Sequence, residues 1–320
     1  MKMKHFNTKS SEQKCGGVDV GKALLDAAVE GGAALRRPNT PEGRADLVAF
    51  FHEHGVARVG LEASGGYEIE IFDALGAAGL NPVLVQPAQV RAFARAMNQR
   101  AKTDRIDAAL IAAFTSVMKT PVRQSDPRLA SLAERLTRLE QIEKDLAQAR
   151  TRRDRFRDEE MIADLEEEIA QLKKRQREMA AHLQRLVRAH ADLAKRFELL
   201  VSIPGLGART ALSLVIRMPE LGSLSREAAA SLAGMAPVTR ESGRWRGEAH
   251  VGGGRKRVGR AMFAAAQAAC LRWNPRLVAL YTRLRAAGKH HSVAVVACAR
   301  KLVIYANTVL TKGQPWVAQL

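Results

Sequence analysis

Residues 16–29, GGVDVGKALLDAAV, decide the fold class of the N-terminal part of the chain. The stretch begins like a β-strand, with Asp19 among glycines and valines. Similar strand patterns recur at 56–61 and 82–85, and the segments between and after them have the spacing of amphipathic helices. Those helices are predicted at 42–54, 68–78, 89–97 and 104–117. The alternation of strands and helices predicts an α/β domain over residues 1–125.

Residues 126–200 have the pattern of long amphipathic helices. An apolar set runs from Leu129 to Leu146, and the charged stretch 150–160 separates it from a second set. The second set has the alternating three- and four-residue spacing of a coiled-coil seam. Its members are Ile162, Leu165, Ile169, Leu172, Met179, Leu183, Leu186, Leu193, Phe197 and Leu200. A helical hairpin is the preferred interpretation, with a stutter in one continuous helix as the alternative. Gln176 and His190 interrupt the seam and are interpreted as polar residues that set its register.

The positive charge is concentrated after residue 200. The chain has 320 residues and a formal net charge of +18, and residues 201–320 contain 18 Lys or Arg against four Asp or Glu. A surface this basic attracts phosphate backbones, so nucleic acid is the expected partner. The hydrophobic fraction of 47% excludes simple disorder and is sufficient for two separate cores.

The cysteines and apolar segments indicate a reducing compartment. Cys15, Cys270 and Cys298 are far apart and lack the spacing of a zinc site or a disulfide framework. The first 14 residues lack the apolar core of a signal peptide, and Arg300 and Lys301 interrupt the apolar run 292–310. We therefore expect a cytoplasmic protein with no membrane span.

The segment 202–210, SIPGLGART, predicts a turn between two helices. In a helix-hairpin-helix, the small Gly205 and Gly207 would let backbone N–H groups approach a DNA phosphate. A turn that binds nothing is the alternative. The residues that follow are predicted to form a mainly α-helical domain over 201–320, with a loop rich in glycine and arginine at 239–260.

Four carboxylates are candidates for a metal site. Asp19 stands in the first strand, Glu62 follows the next, and Asp104 and Asp107 lie three residues apart at a helix start. That spacing places the last two on one helix face. Clustered carboxylates are the ligands of Mg²⁺ in two-metal phosphoryl transfer. Each residue alone has an ordinary alternative, since Asp104, for example, is a suitable helix cap.

Several motifs resemble the DEDD transposases of insertion sequences, which are related to the Piv-type DNA invertases. The most specific are KTDRIDA at 102–108, EASGGYE at 62–68, and the Ser-Gly pair at 242–243 followed by GGGRKRVGR at 252–260. The resemblance covers nearly the whole chain. It implies an RNase H-like, RuvC-like α/β domain at 1–125, long coiled-coil helices at 126–200, and a transposase domain at 201–320.

The resemblance also implies the chemistry and the partners. Asp19, Glu62, Asp104 and Asp107 would hold Mg²⁺, and Ser242 would be the nucleophile that forms a covalent link to DNA. Members of the family use a structured noncoding RNA, the bridge RNA, to select donor and target DNA. We expect a homo-oligomer, a dimer or a tetramer, whose metal site and serine meet in one composite centre.

The basic residues around Ser242 are candidates for binding phosphate. They are Arg240, Arg244, Arg246, Arg255, Lys256, Arg257 and Arg260. Guanidinium groups bind non-bridging phosphate oxygens and stabilise the charge that develops in phosphoryl transfer. Without the resemblance, Ser242 and Gly243 would be interpreted as turn residues. Trp245, Trp273 and Tyr281 are expected in a helical core rather than stacked on bases, and His290 and His291 on a basic surface.

Two other functions are compatible with these patterns. A Holliday-junction resolvase or structure-specific nuclease would use the carboxylates with water as the nucleophile and would not need Ser242. A non-enzymatic scaffold would bind nucleic acid through its basic domain, and its carboxylates would be structural.

Overall fold

A computed structural model describes residues 14–98, 104–118, 126–238, 241–242, 245–247 and 250–317, with only the backbone at 104–106, 241–242 and 245–246. The chain divides into two compact units, 1–125 and 126–320. The second unit contains both the predicted coiled-coil region, 126–200, and the predicted transposase domain, 201–320.

The first unit is built on a five-stranded mixed sheet with the order β3-β2-β1-β4-β5. Its strands are β1 (Lys14–Val20), β2 (Leu24–Val29), β3 (Ala34–Pro38), β4 (Val56–Glu62) and β5 (Asn81–Val85). Strands β1, β2 and β3 are antiparallel neighbours, whereas β4 is parallel to β1 and β5 is parallel to β4. The central strand β1 therefore has an antiparallel neighbour on one side and a parallel neighbour on the other.

The segment 16–29 forms two strands of the sheet, although its sequence predicts only one strand start. The chain turns at 21–23, where the Gly21 amide donates to the carbonyl oxygen of Leu24 at 2.9 Å. Both strands are mostly buried. Because both have covered faces, the apolar run continues through the turn and hides it. Strand β3 was likewise not predicted.

The described part of the first unit also contains four helices: α1 (Pro41–Glu53), α2 (Ile69–Ala77), α3 (Pro87–Ala96) and α4 (Asp104–Val117). The predicted helices are confirmed to within two residues at each end. Leu47 and Phe51 of α1 and Ile71 of α2 share a core with Val18 and Leu61 on one side of the sheet. Helix α4 packs on the opposite side, because it contacts Gly17, the strand neighbour of Val18.

The second unit begins with a helical hairpin of α5 (Pro127–Arg153) and α6 (Glu159–Arg188). Leu146 and Ala149, near the end of α5, share a cluster with Ile169 and Leu172 in the first half of α6. Asp126 and Asp158 cap the two helices by accepting from Arg128 and Met161 amides. The preferred hairpin interpretation is confirmed.

The apolar seam of 162–200 is divided between two helices. Helix α6 ends at Arg188, and α7 (Ala191–Val201) begins after His190, which occupies the N-cap position. The interpretation of His190 as a seam residue is therefore wrong. A change of helix keeps the apolar spacing almost in phase, so that the sequence pattern conceals the break.

The remaining helices share one buried core with α12 (His291–Lys312). They are α8 (Ala208–Arg217), α9 (Arg226–Leu232), α10 (Lys256–Ala268), a π-helical turn (Ala269–Trp273) and α11 (Pro275–Ala286). Asn307 of α12 accepts from the Gly222 amide and donates to the Leu224 carbonyl, both at 2.8 Å. Within the described ranges, α12 is the one helix long and apolar enough to cross a membrane, and 56% of its apolar window is buried inside the protein. That burial is typical of a core helix.

Two short antiparallel ladders lie between α9 and α10. Strands β6 (Pro237–Val238) and β9 (His250–Val251) pair with each other, as do β7 (Glu241–Ser242) and β8 (Trp245–Arg246). The second ladder lies inside the first along the chain. Ser242 pairs with Trp245, so this nested arrangement places the candidate serine in the inner ladder.

Candidate active site and nucleic-acid interface

Asp19 and Glu62 lie side by side at one end of the sheet in the first unit. Parallel strands β1 and β4 pair Gly17 with Gly60 and Val18 with Leu61, so Asp19 and Glu62 are the next residues in register. Both side chains are half-buried. Because side chains alternate between faces, they point to the same side as Gly17 and Gly60.

Helix α4 lies directly on that face because two glycines leave room for it. A Cβ atom at Gly17 would overlap the Ala108 carbonyl oxygen and the Ala112 amide nitrogen, and one at Gly60 would overlap the Thr115 hydroxyl. Only glycine permits this approach of a helix backbone to a strand.

The direction of α4 brings its N-terminus toward Asp19 and Glu62. Gly60 faces Ile111 and Thr115, whereas Arg58, two residues earlier, donates to the Met118 carbonyl at 2.8 Å. The carboxyl end of β4 therefore lies nearest the start of α4.

Asp104 and Asp107 occupy the start of α4, at the end of the helix directed toward Asp19 and Glu62. Asp107 is half-buried, and the Asp104 side chain lies outside the described residues. Among the side chains that the structure does describe, no three acidic, histidine or cysteine groups are close enough to hold a metal ion. The backbone thus brings the four candidates to one end of the sheet without a described ligand cluster.

Asp26 is a neighbour of this site that the sequence patterns did not single out. It is 8% exposed and stands directly opposite Asp19 in the antiparallel pair of β1 and β2. Arg36 of β3 binds both of its carboxylate oxygens, at 2.8 and 3.0 Å. Arg36 therefore neutralises one of two facing carboxylates. An aspartate inside an apolar strand, LLDAAV, was the available signal.

The EASGGYE motif forms a tight loop immediately after Glu62. Glu68 is 9% exposed, and its Oε2 atom accepts from the Ser64 amide, the Ser64 hydroxyl and the Gly66 amide at 2.8–3.1 Å. Gly65 and Gly66 adopt positive φ angles of 83° and 126°, which favour glycine. Glu68 holds the loop closed, and this local contact fixes the chain where it leaves Glu62.

The basic residues assigned to phosphate binding fall into different environments. Arg255 donates to both carboxylate oxygens of Glu220, at 2.7 and 2.8 Å, and to the Arg217 carbonyl. Arg257 donates to the Thr137 hydroxyl at 2.7 Å and to Glu140 at 3.2 Å. Lys256 and Arg260 are exposed. Arg240 and Arg244 lie outside the described residues, as do the side chains of Ser242 and Arg246. Phosphate binding by these residues stays a prediction.

The two glycines of the PGLG turn also differ. Gly205 has a φ angle of 89°, and a Cβ atom on it would overlap Ala269 of the π-helical turn. Gly207 is the N-cap of α8 and has open space around its Cα. Packing therefore accounts for Gly205, whereas Gly207 retains the access that its predicted role requires.

The aromatic candidates are placed as follows. Trp273 is 58% exposed, so its expected position in a helical core is wrong. Tyr281 is half-buried, with its hydroxyl 2.7 Å from Nδ1 of His291. His290 is exposed and caps α12. The side chain of Trp245 lies outside the described residues.

All three cysteines are buried, and none of them forms a disulfide bond. Burial raises the pKa of Cys15, with a further contribution from Glu30, and raises the pKa of Cys298 to about 12. Burial likewise raises the pKa of Cys270. Thiols with raised pKa values are protonated near neutral pH and are poor nucleophiles.

Two family models match separate parts of the chain. A DEDD transposase model of the IS110 type matches residues 16–158, which include the acidic end of the sheet. A model described as a transposase of the IS116/IS110/IS902 family matches residues 197–282, which include the nested ladders and α10. The chain belongs to the IS110 family of transposases. Membership in the IS110 family makes it a DNA-modifying enzyme, a transposase or recombinase, rather than a scaffold.

Relatives of this IS110-family chain include proteins that invert a gene. It is 24% identical over 318 residues to pilin gene-inverting proteins of Moraxella bovis and Moraxella lacunata, covering 94% of this chain and 96% of each relative. It is also 32% identical over 155 residues to an uncharacterized protein of insertion element IS110 from Streptomyces coelicolor, covering 48% of this chain and 37% of that protein. Both kinds of relative agree with the predicted resemblance.

Proposed function

We propose that this IS110-family enzyme cleaves and rejoins DNA strands through a covalent link to Ser242, with a divalent metal held by Asp19, Glu62, Asp104 and Asp107. The observation that carries the proposal is the register of β1 with β4 beneath α4, which directs all four residues to one end of the sheet. This arrangement of strands and helix supports an RNase H-like domain of the RuvC type.

The donor set fits a hard cation. All four side chains are carboxylates, and the carboxylate of Asp26, which stands opposite Asp19, is already bound by Arg36. Mg²⁺ prefers such oxygen ligands, and when bound it would stabilise negative charge on a scissile phosphate. Asp19 and Glu62 would supply ligands from rigid strands, and Asp104 and Asp107 from the first turn of α4.

The chemical step conserves atoms without an oxidant or a reductant. The Ser242 oxygen forms a bond to phosphorus while the bond from phosphorus to a deoxyribose oxygen breaks. The serine proton is transferred overall to the leaving oxygen, which becomes a hydroxyl end. Attack by the hydroxyl end of a second strand reverses the step and releases serine. Each step exchanges one phosphodiester bond for another, so no external energy source is needed to rejoin the strands.

The test is covalent trapping with the full-length protein. A DNA fragment carrying the ends of the encoding element, incubated with Mg²⁺ and the co-purifying RNA, should give a protein–DNA adduct that survives denaturation. Ser242→Ala should abolish the adduct, whereas Ser231→Ala, at an exposed serine of α9, should retain it. If the unchanged protein and Ser242→Ala both cleave the DNA without forming an adduct, the result would instead support the nuclease alternative.

The metal assignment has its own control. Asp19→Asn should lower adduct formation by at least about 100-fold, since one of the carboxylates that neutralise the cation is lost. Asp73→Asn removes an exposed carboxylate of α2 and should leave the yield unchanged. Titration calorimetry with Mg²⁺ should show the same difference in the absence of DNA. Equal Mg²⁺ binding by both variants would contradict the assignment.

We also propose a guide RNA, a homo-oligomer and a cytoplasmic location. The resemblance and the charge after residue 200 support the RNA, and the long α5–α6 hairpin supports assembly as a dimer or a tetramer through coiled-coil contacts. Sequencing of co-purifying RNA should give one discrete structured species that matches DNA flanking the gene. A random sample of cellular RNA would contradict guidance, and a monomer in sedimentation equilibrium would contradict assembly.

A further inference from the structure

The π-helical turn at Ala269–Trp273 changes which residues of the segment are buried. The buried positions of α10 include Val258, Met262 and Ala265, and the pattern continues at Ala269. The three- and four-residue spacing leads next to Trp273. Instead, the Asn274 amide donates to the Ala269 carbonyl, five residues earlier, at 2.9 Å. The wider turn shifts the buried position by one residue.

Two large apolar side chains are exposed in this turn. Asn274 is 1% exposed, whereas Leu271 and Trp273 are each 58% exposed. Exposed tryptophan is unusual in a soluble protein, and π-helical turns are frequent at functional sites. The turn therefore directs an aromatic ring outward at a position where regular helix would bury it.

The protein segment beneath Trp273 is held by specific contacts. The Asn274 side chain donates to the Pro204 carbonyl at 3.1 Å and accepts from the Leu277 amide at 3.3 Å. Gly205 packs against Ala269 from the same side. The PGLG turn thus supports the π-helical turn from below. An aromatic side chain on a rigid backbone loses little conformational entropy when a partner binds.

A cationic side chain lies against Trp273. The guanidinium carbon of Arg272 lies 5.2 Å from the centre of the Trp273 ring, a cation–π contact. One exposed face of α10 carries Arg260, Ala264 and Ala268, which are spaced four residues apart and lead to the π-helical turn. The small alanines leave room for a polymer backbone. The 13 residues from Arg260 to Trp273 span roughly 20 Å of helix, a distance that several nucleotides of an extended strand can cover.

We propose that this face, from Arg260 to Trp273, binds an unpaired strand of DNA, with one base stacked on Trp273 and phosphates near Arg260 and Lys256. The proposal rests on the proposed function in taking DNA as the substrate. Exchange of strands unpairs bases, and a tryptophan face accepts any base. The 18 basic and four acidic residues after position 200 favour a polyanion over a protein partner.

The test is fluorescence anisotropy with labelled twelve-nucleotide oligothymidylate and the full-length protein. Trp273→Ala should weaken binding by about 5- to 150-fold, the loss expected for one stacked base. Trp273→Phe should remain within about threefold of the unchanged protein, because a ring is retained. Phe156→Ala removes another exposed aromatic residue, in the turn between α5 and α6, and should have no effect. Binding of a duplex of equal length should not depend on Trp273.

Several results would overturn the proposal. Unchanged oligothymidylate binding by Trp273→Ala is one, and an equal loss for duplex is another. A loss confined to oligouridylate would assign the surface to RNA, and a changed sedimentation coefficient with unchanged binding would assign it to a protein contact. Circular dichroism should show unaltered folding. If no covalent adduct forms at Ser242, this binding measurement can still be interpreted, so the two proposals can fail separately.

Discussion

The two units position their functional groups by opposite means. In the first, α4 is held against the sheet because Gly17 and Gly60 have no side chains. In the second, Glu140 of α5 lies 3.5 Å from Arg209, 3.0 Å from Arg217 and 3.2 Å from Arg257, and so connects the hairpin to α8 and α10. The first arrangement fails when an atom is added, and the second when a charge is removed.

This difference follows from what each unit has to hold. Carboxylates that share one site repel one another, so neutral backbone contacts are suited to bringing them together. Cationic side chains are abundant in the second unit, and a few carboxylates are needed to hold some of them in place. Thr137 assists Glu140 by accepting from Arg217 and Arg257 at 3.1 and 2.7 Å.

The largest expected effect is that of Gly17→Ala. The new methyl group would collide with backbone atoms of α4, which cannot rotate away, so we expect the first unit to lose about 3 kcal/mol or more of stability. Hydrogen exchange should increase in peptides of 14–98 and remain unchanged in 126–238. Gly32→Ala has open space around its Cβ and is the control. If both variants exchange alike, close packing at Gly17 is not what holds α4.

An intermediate effect is expected for Glu140→Gln. Three guanidinium groups would lose their shared countercharge, although the 25% exposure of Glu140 lets water compensate in part. We expect a loss of about 1–2 kcal/mol in urea unfolding, with faster exchange in α8 and α10. Glu134→Gln, at an exposed position of the same helix, should change stability by less than about 0.5 kcal/mol. An equal effect of the two changes would mean that Glu140 does not connect the hairpin to α8 and α10.

The smallest effect concerns pH. The Arg128 guanidinium hydrogen-bonds to Asp126 and Asp192 and lowers the pKa of both carboxyls below the ordinary value of 3.8. A lowered pKa gives stability that is present above pH 4 and is lost as the pH falls through the folded-state value. In Asp192→Asn, the free energy of unfolding should therefore decrease less as the pH falls below 4.

Salt provides the control for this effect, because the groups are largely exposed. At 1 M salt the unchanged protein and Asp192→Asn should converge in their dependence on pH, since screening acts within about 3 Å. A difference that persists at high salt would mean that Asp192 acts through packing rather than charge.

The local spacing of apolar residues was sufficient to predict most helices and strands of the first unit and the helical hairpin. Helix α4 begins and ends where its sequence predicts, because its apolar period and length are unambiguous. The turn at 21–23 and the helix break at His190 were not predicted, since in both cases the apolar spacing continues across the break. Asp26 was also missed, because its position opposite Asp19 depends on strand pairing that lies outside local sequence.

The amino-acid sequence by itself determined the family motifs, the order of the four carboxylates and the excess of positive charge after residue 200. These are properties of residue identity and spacing, and they do not depend on how the elements pack. Only the tertiary structure decided which cations are engaged, since Arg255 and Arg257 meet Glu220 and Glu140 across long sequence separations. It also decided that Trp273 is exposed, because one backbone hydrogen bond to Ala269 rotates the helix face by a residue. Periodicity describes regular helix, and the packing of Gly205 and Asn274 beneath the turn selects an irregular one.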